Sequence, residues 1–425
     1  MFSFLQRKFV PTLSLTAGIS GLLFLHWRFQ QPYAAFGILH GLVFYFSAAF
    51  VMAACIGFWI LVFRSSKQTA VRIWLAASAV FLSLLGAEVS LRAAGINRAY
   101  IEGRIGKYMS AFIRYDNNIH RTYGSNTESY LHTTEYNYLR HHNNFGFSDA
   151  DFFPKKDSEI LIQTYGDSYT EGDGAPFDSS YPALLRTLLR NYDNIIIQNF
   201  GICGSDPAFY WKQLQDIGLS LRPDAAVITY DTGDFTTDFL TRGGLERFKG
   251  DHWEATAPPS WEWLYASSYL FRLIAVSVFH ISDKDFFFTS QAKIQRLKEL
   301  EPRWNETFLK IADLARKNNI QVLLVKKPGR GEVELNRYDY DFTFFEKIAD
   351  TIPEFRRIDL LTYYRDSAHV SKENSKIYYW EKDGHHNSNG YALMARGIYA
   401  GLKKYYPELF FYVPSGRNLP NVSFE

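Results

Sequence analysis

From Ile160 onward, short apolar stretches with strand character alternate with longer amphipathic stretches with helical character. This alternation leaves few possible folds, because strands joined by helices normally build a parallel sheet that helices cover on both faces. The predicted strands are 160–164, 195–198, 225–230, 321–326 and 357–360. The predicted helices are 181–190, 208–218, 291–317 and 389–404. We therefore predict a three-layer α/β/α domain with a mostly parallel sheet.

The region before residue 95 has a different character, with three apolar stretches at 10–27, 34–63 and 73–91. A membrane-spanning helix needs about 20 largely apolar residues, so we predict about three transmembrane helices. The loop between the second and third stretches carries the basic residues Arg64, Lys67 and Arg72. The positive-inside rule places that loop in the cytoplasm and the chain after Arg92 outside the cytoplasmic (inner) membrane, on the periplasmic side.

The remaining boundaries follow from composition. Residues 96–153 are polar and rich in tyrosine, and we predict an extended connector that wraps the main α/β domain. The domain itself is predicted at 154–410, with an insertion at about 242–288 and a C-terminal tail at 411–425. The insertion contains the apolar run 269–279, for which a helix packed on the domain, a lid and a lipid-contacting surface all remain open.

Composition excludes several classes of function. The net charge of +2, with no long basic run, argues against a nucleic-acid partner. Two distant cysteines make a disulfide or a thiolate metal site an unfavourable interpretation. His141 and His142 have no further ligands at metal-binding spacing and are predicted to lie at the surface. No phosphate-binding or flavin-binding motif is present, so we predict no cofactor and no metal.

A candidate nucleophile follows the first predicted strand in the segment Gly166-Asp167-Ser168. A serine placed where a strand breaks into a turn can present its hydroxyl above a parallel sheet. Three further polar segments, 199–206, 230–235 and 383–391, lie past a predicted strand or before the last predicted helix. Ligands of parallel α/β sheets bind beyond the carboxyl ends of the strands, so we expect these segments to lie close to Ser168.

A serine nucleophile needs a base to take its proton and an acid to orient that base. Residues 383–391 read Asp-Gly-His-His-Asn-Ser-Asn-Gly-Tyr. An aspartate two or three residues before a histidine can reach round a turn to the imidazole ring. We therefore predict Asp383 as the acid, with His385 and His386 both candidates for the base.

These segments resemble the conserved blocks of the SGNH hydrolase superfamily, the GDSL esterases, over about residues 144–405. The resemblance implies a flavodoxin-like sheet, Ser168 as the nucleophile, and an oxyanion site that includes the backbone N–H groups of Ser168 and Gly204. The usual Asp-x-x-His spacing of the family selects His386 as the base. The Asn-x-x-Gly that follows the family histidine selects His385, which we favour.

The third block departs from the family pattern. Its Gly-x-Asn-Asp corresponds here to Asp231-Thr-Gly-Asp, so Gly233 stands where the family has an asparagine that donates a hydrogen bond to the oxyanion. Losing one such donor costs about 3–4 kcal/mol in a protease example. Thr232 and Thr236 are the candidates to replace this donor.

The resemblance predicts a membrane-anchored serine esterase that acts on acyl esters, chiefly O-acetyl esters, of an extracytoplasmic carbohydrate. One alternative is an O-acetyltransferase for an envelope glycan that works with a partner membrane protein. Another is a non-catalytic glycan-binding module, which Gly233 favours. The expected partners are an acylated carbohydrate or other ester and the lipid bilayer.

Overall fold

The structure is a computed structural model that describes residues 66–94, 119–192, 194–250, 252–253, 265, 268–279 and 290–410. The chain forms two compact units. The first unit comprises Met1–Ile113 and Thr256–Ala292, and the second comprises Arg114–Ala255 and Lys293–Glu425. The apolar stretches 10–27 and 34–63 and the predicted tail 411–425 lie outside the described residues.

The regular elements are as follows. The strands are β1 (Glu128–His132), β2 (Asn137–His141), β3 (Ile160–Tyr165), β4 (Ile195–Asn199), β5 (Ala225–Tyr230), β6 (Phe248–Lys249), β7 (His252–Trp253), β8 (Gln321–Lys326) and β9 (Phe355–Asp359). The helices are α1 (Lys67–Ala94), α2 (Ser168–Glu171), α3 (Tyr181–Leu188), α4 (Pro207–Asp216), α5 (Tyr269–Ser277), α6 (Ser290–Asn318), α7 (Arg330–Leu335), α8 (Thr343–Ala349), α9 (Leu360–Ala368) and α10 (Ser388–Tyr405). A π-helix, Asp234–Phe239, continues into one α-turn, Leu240–Arg242.

Five strands of the second unit form a parallel sheet in the order β4-β3-β5-β8-β9. This is the flavodoxin-like strand order, in which the chain reverses its direction of winding between β3 and β5. The crevice at such a reversal is where open α/β sheets bind their ligands. The predicted α/β fold with a parallel sheet is therefore confirmed.

Two apolar clusters cover the two faces of this sheet. Val227 of β5 and Leu323 of β8 belong to a buried cluster with residues of α3, α9 and α10. Tyr230, which points to the other face of β5, has its ring 6.1 Å from that of Phe308 of α6. Burial of these large side chains on both faces is the main favourable term in the stability of such a domain.

The sequence prediction missed several short elements. Helices α7, α8 and α9 lie between β8 and the final helix, a segment for which only a strand was predicted. The strand predicted at 357–360 is β9, which begins two residues earlier and ends one residue earlier, and Leu360 begins α9. Asp359 caps α9, because its carboxylate accepts the N–H of Leu361 at 2.8 Å.

The predicted connector contains an antiparallel hairpin of β1 and β2, in which Tyr130 pairs with Leu139. His141 is exposed and pairs with Glu128, as a surface residue would. The prediction was wrong for His142, which is buried and stacks on Tyr123 at 4.1 Å between ring centroids. An imidazole ring can pack on an aromatic face when its nitrogens find hydrogen-bond partners, here the hydroxyl of Thr127 at 3.0 Å.

In the first unit, α1 covers the third predicted apolar stretch and packs with α5, which forms within the apolar run of the insertion. The Glu88 carboxylate accepts hydrogen bonds from the hydroxyl of Ser268 and from the N–H groups of Tyr269 and Leu270, at 2.9–3.0 Å. An acid at this place satisfies the unpaired donors at the start of α5. Among the described residues, no helix combines the length and the apolar character needed to cross a bilayer.

Candidate active site

Ser168 begins helix α2, directly after the turn that ends β3. The Asp167 side chain caps this helix by accepting the N–H of Tyr169 at 3.0 Å. A Cβ at Gly166 would lie 2.0 Å from Thr170 Oγ1 and 2.1 Å from a second threonine hydroxyl, that of Thr229. Gly166 is therefore required because the helix and β5 approach the backbone closely at this turn.

Three predicted site residues meet through hydrogen bonds. The Oγ of Ser168 lies 2.8 Å from Nε2 of His385. The Nδ1 of the same ring lies 2.5 Å from Oδ1 of Asp383, which also accepts the backbone N–H of His385 at 3.2 Å. Gly384, between the acid and the histidine, has a φ of 84°, a value that glycine adopts readily. The loop before α10 thus supplies acid and base together, in the geometry of a serine-histidine-aspartate triad.

The electrostatics of this triad suit proton transfer. Burial lowers the pKa of His385, but the hydrogen bond to Asp383 and the negative charges of Asp173, Asp383 and Asp167 outweigh it and raise the pKa above 6.5. Burial likewise opposes ionisation of Asp383, yet its contacts with His385 hold its pKa below the ordinary value. The acid is therefore charged at neutral pH and stabilises the imidazolium that forms when the ring accepts a proton.

His386 has a different environment from its neighbour. Its ring is fully buried, with Nε2 3.0 Å from the Tyr364 hydroxyl and Nδ1 3.2 Å from the Tyr378 carbonyl. Burial and the charge of Lys327 lower the pKa of His386 to about 3, so the ring is neutral. His385 is therefore the histidine whose ring contacts Ser168. Both ring nitrogens of His386 contact other groups, the Tyr364 hydroxyl and the Tyr378 carbonyl.

The predicted oxyanion groups follow the carboxyl ends of β3, β4 and β5. In the part of the chain that the structure describes, the backbone N–H groups of Ser168, Gly204 and Gly233 donate to no acceptor. Unpaired N–H groups of this kind can bind a developing negative charge. Arg242 donates to the Gly204 carbonyl at 2.7 Å and Arg121 to the Cys203 carbonyl at 3.2 Å, which restrains both peptides.

No side chain at position 233 can donate to an oxyanion, and the two threonines proposed as replacements are engaged elsewhere. The Thr232 hydroxyl donates to Glu332 at 2.5 Å. The Thr236 hydroxyl donates to the Thr232 carbonyl at 2.8 Å, as threonines in helices commonly do. The expectation that either hydroxyl replaces the family asparagine was wrong, which leaves backbone N–H groups as the donors.

A second group of charges, which sequence reasoning missed, lies beside the nucleophile. We call Asp167, Asp231, Asp234 and Lys327 the acid–lysine cluster. The three carboxylates offer oxygen atoms within 4.8 Å of one another, a spacing that a metal ion could use. However, the buried ammonium of Lys327 bonds to Asp231 and lies 3.8 Å from Asp167, so the lysine already supplies the positive charge. Its ammonium also lies 3.4 Å from the ring centroid of Tyr169.

Comparison with known proteins gives only distant structural matches. No protein-family model and no curated protein match the chain. Among solved structures, the acetyl xylan esterase AlAXEase matches at 17% identity and a TM-score of 0.35, over 57% of this chain and 98% of the esterase. A two-domain esterase, CEX, active on acetylated mannans, matches at 15% identity and a TM-score of 0.36, over 62% of this chain and 52% of CEX. A putative lipolytic protein of the G-D-S-L family from Desulfitobacterium hafniense DCB-2 matches at 14% identity and a TM-score of 0.30, over 57% of this chain and 100% of that protein. At these values the chemistry of this chain has to be inferred from its own site.

Proposed function

We propose that this protein is a membrane-anchored serine esterase that removes acyl groups, chiefly O-acetyl groups, from an extracytoplasmic carbohydrate. The observation that carries the proposal is the unbroken hydrogen-bonded path from Ser168 through His385 to Asp383. A hydroxyl, a ring with a raised pKa and a carboxylate in this order are what acyl transfer to serine requires.

The reaction begins with attack of Ser168 Oγ on the ester carbonyl carbon while its proton passes to Nε2 of His385. Asp383 accepts a hydrogen bond from Nδ1 and stabilises the imidazolium. The carbonyl oxygen takes up the electron pair and is held by backbone N–H groups, for which those of Ser168 and Gly204 are available. Collapse of this intermediate breaks the ester bond, and His385 returns the proton to the departing alcohol. Water then repeats the sequence on the acyl-serine and releases the acid.

A carbohydrate substrate fits the aromatic side chains beside the triad. The rings of Tyr136 and Trp380 lie 5.6 Å apart, next to the loop that carries Asp383, and both side chains are only half-buried. Aromatic rings with a polar edge offer an apolar face together with hydrogen-bonding groups. A sugar ring presents the same combination of C–H faces and hydroxyls.

The membrane anchor is supported by the apolar stretches 10–27 and 34–63 and by the basic loop that follows them. The full chain should stay with the membrane after a carbonate wash at high pH. A reporter enzyme that is active only outside the cytoplasm should be active when it is fused after Glu425. Release by carbonate, or a cytoplasmic reporter signal, would remove the anchor from the proposal.

The catalytic proposal is tested with the full chain in detergent and p-nitrophenyl acetate as the substrate. We expect Ser168→Ala to abolish turnover and covalent labelling by a fluorophosphonate probe. Ser179→Ala, which alters a serine outside the triad, should leave both unchanged. Turnover that survives Ser168→Ala contradicts the proposed nucleophile. A folded wild-type chain that is neither active nor labelled would leave the non-catalytic glycan-binding module as the better description.

A further inference from the structure

The tip of the β1–β2 hairpin contacts the loop that carries the catalytic acid. Oε1 of Glu135 accepts the backbone N–H groups of Glu381 at 2.9 Å and of Lys382 at 3.0 Å. Oε2 accepts the N–H of Lys382 at 3.0 Å and that of Asp383 at 2.8 Å. Three consecutive N–H groups therefore point at one carboxylate. Hydrogen bonds to an ionised acceptor are about twice as strong as neutral ones, so this contact restrains the loop at the acid itself.

The next residue of the hairpin packs against the same loop. The ring of Tyr136 lies 5.6 Å from the ring of Trp380. The backbone N–H of Trp380 donates to the carbonyl of His385 at 2.8 Å. The hairpin therefore contacts this loop both at Asp383 and at Trp380, on the two sides of the turn.

The base of the hairpin is anchored beside the nucleophile. Arg140 is buried and forms ion pairs with Glu171 and with Asp173, the latter at 2.5 Å. Tyr138 accepts the N–H of Gly174 at 3.0 Å. These partners lie at the end of α2, the helix that Ser168 begins, and just after it. The hairpin therefore holds the nucleophile's helix at one end and the acid's loop at the other.

We propose that the β1–β2 hairpin is a positioning element of the active site, in which Glu135 holds the backbone of Asp383 in register with His385. The inference rests on the proposed esterase function. It assigns a part in catalysis to a segment that its sequence marks only as a connector. Glu135 acts through Asp383 and bonds neither to the nucleophile nor to His385.

The first test compares kcat and KM of full-length variants, with the active sites counted by a fluorophosphonate probe. We expect Glu135→Ala to lower kcat per labelled site roughly 10- to 100-fold at nearly unchanged KM, because a displacement of about 1 Å at a catalytic group can cost that much. Glu135→Gln keeps an acceptor and should recover much of the loss. Glu128→Gln is the matched control, since Glu128 lies in the same hairpin and pairs with the exposed His141.

The second test uses the pH dependence of kcat/KM. The groups that face His385 are Asp383 of its own loop, Asp167 and Asp173 from the segments around α2, and the Tyr169 ring. Glu135→Ala loosens the acid from the imidazole ring, which lowers the pKa of His385 and should move the acidic limb of kcat/KM to lower pH. Glu128→Gln should leave this limb at the wild-type pH.

A lower kcat per labelled site, together with an acidic limb that moves to lower pH in Glu135→Ala, is the result expected of a positioning contact. A purely structural role predicts that Glu135→Ala lowers the melting temperature while kcat per labelled site equals that of Glu128→Gln, and this result would overturn the inference. An acidic limb that stays at the wild-type pH in Glu135→Ala would overturn it as well. Failure of the esterase proposal is distinguishable, because the wild-type chain would then show neither turnover nor labelling.

Discussion

Two groups of ionisable side chains lie side by side at the carboxyl ends of the central strands, and their environments differ. In the triad, the side chains of His385 and Asp383 keep 23% and 25% of their accessible surface. In the acid–lysine cluster, the Lys327 side chain has 0% and that of Asp231 has 11%. Asp167 belongs to the acid–lysine cluster, and Ser168, the next residue in the chain, belongs to the triad.

The difference determines what each group can do. Partial exposure lets the triad admit a substrate and exchange protons, while its hydrogen bonds set the pKa of His385 above the ordinary value. Burial raises the pKa of Asp167 to about 6, against the opposing effect of Lys327. Charges that are paired and buried in this way are costly to separate, so we expect the cluster to act chiefly on the stability of the site.

We expect the largest difference between the two environments when the adjacent residues His385 and His386 are each replaced by alanine. His385→Ala removes the proposed base and should lower kcat/KM by ~10²–10⁴-fold, the range found for a general base, with little change in the melting temperature. His386→Ala leaves a cavity in the buried region and the Tyr364 hydroxyl without its ring partner. It should lower the melting temperature while the activity per labelled site stays close to that of the wild type.

Chemical denaturation and kinetics on the same samples measure both quantities. If His386→Ala lost its activity per labelled site as strongly as His385→Ala, the assignment of the base would be wrong. If both variants lost stability and activity to the same extent, the triad and the buried region around His386 could not be assigned different roles.

We expect substitution in the acid–lysine cluster to lower the free energy of unfolding. Lys327→Met removes the ammonium and leaves buried carboxylates without their cation, which costs about 3–5 kcal/mol of unfolding free energy for a broken buried ion pair. The loss should shrink as the pH is lowered, because the carboxylates then become protonated and neutral. Urea unfolding at several pH values measures it.

Lys317→Met is the matched control for this experiment. Lys317 pairs with Asp313 on the surface of α6, with 67% of its side chain exposed. Surface pairs of this type add little to the free energy of unfolding, because water and salt screen the two charges. Equal losses in the two variants would mean that the buried cluster contributes no more than a surface pair.

Features that depend on neighbouring residues could be predicted from the sequence, whereas features that depend on burial could not. The strands of the parallel sheet were found because they are short apolar runs with little polar interruption, as in β5 and β8. The hydrogen bond between Asp383 and His385 could be predicted because two residues in one loop can reach each other locally. The choice between His385 and His386 depends on burial, which neighbouring positions in a loop do not encode.

Contacts between distant segments could not be predicted. Glu135 and the N–H of Glu381 are 246 positions apart, and Lys327 is 96 positions from Asp231. Each side chain alone has the appearance of an ordinary polar residue in a loop or at a strand end. Only the order of the strands brings Lys327, after β8, beside the segment that follows β5.

Asp167 links the two groups, and its substitution should give the smallest and most specific effect. In the wild type, His385 must be neutral to accept a proton, so kcat/KM should fall as the pH drops through a value above 6.5. With a pKa of about 6, Asp167 is negatively charged in that range and contributes to the raised pKa of His385. Asp167→Asn keeps an oxygen that can cap α2 and removes the charge, so the pKa of His385 should fall.

The expected result is a shift of the acidic limb by a few tenths of a pH unit to lower pH, measured by kcat/KM between about pH 5 and 8. Asp231→Asn is the control, because Asp231 belongs to the cluster and is not among the charges that chiefly raise the pKa of His385. An acidic limb of kcat/KM that moves only in Asp167→Asn would mean that Asp167 is the one of these two aspartates whose charge affects the pKa of His385. Equal shifts in both variants would mean instead that the acid–lysine cluster acts on the base as one charge, and the division into a reactive group and a structural group would not hold.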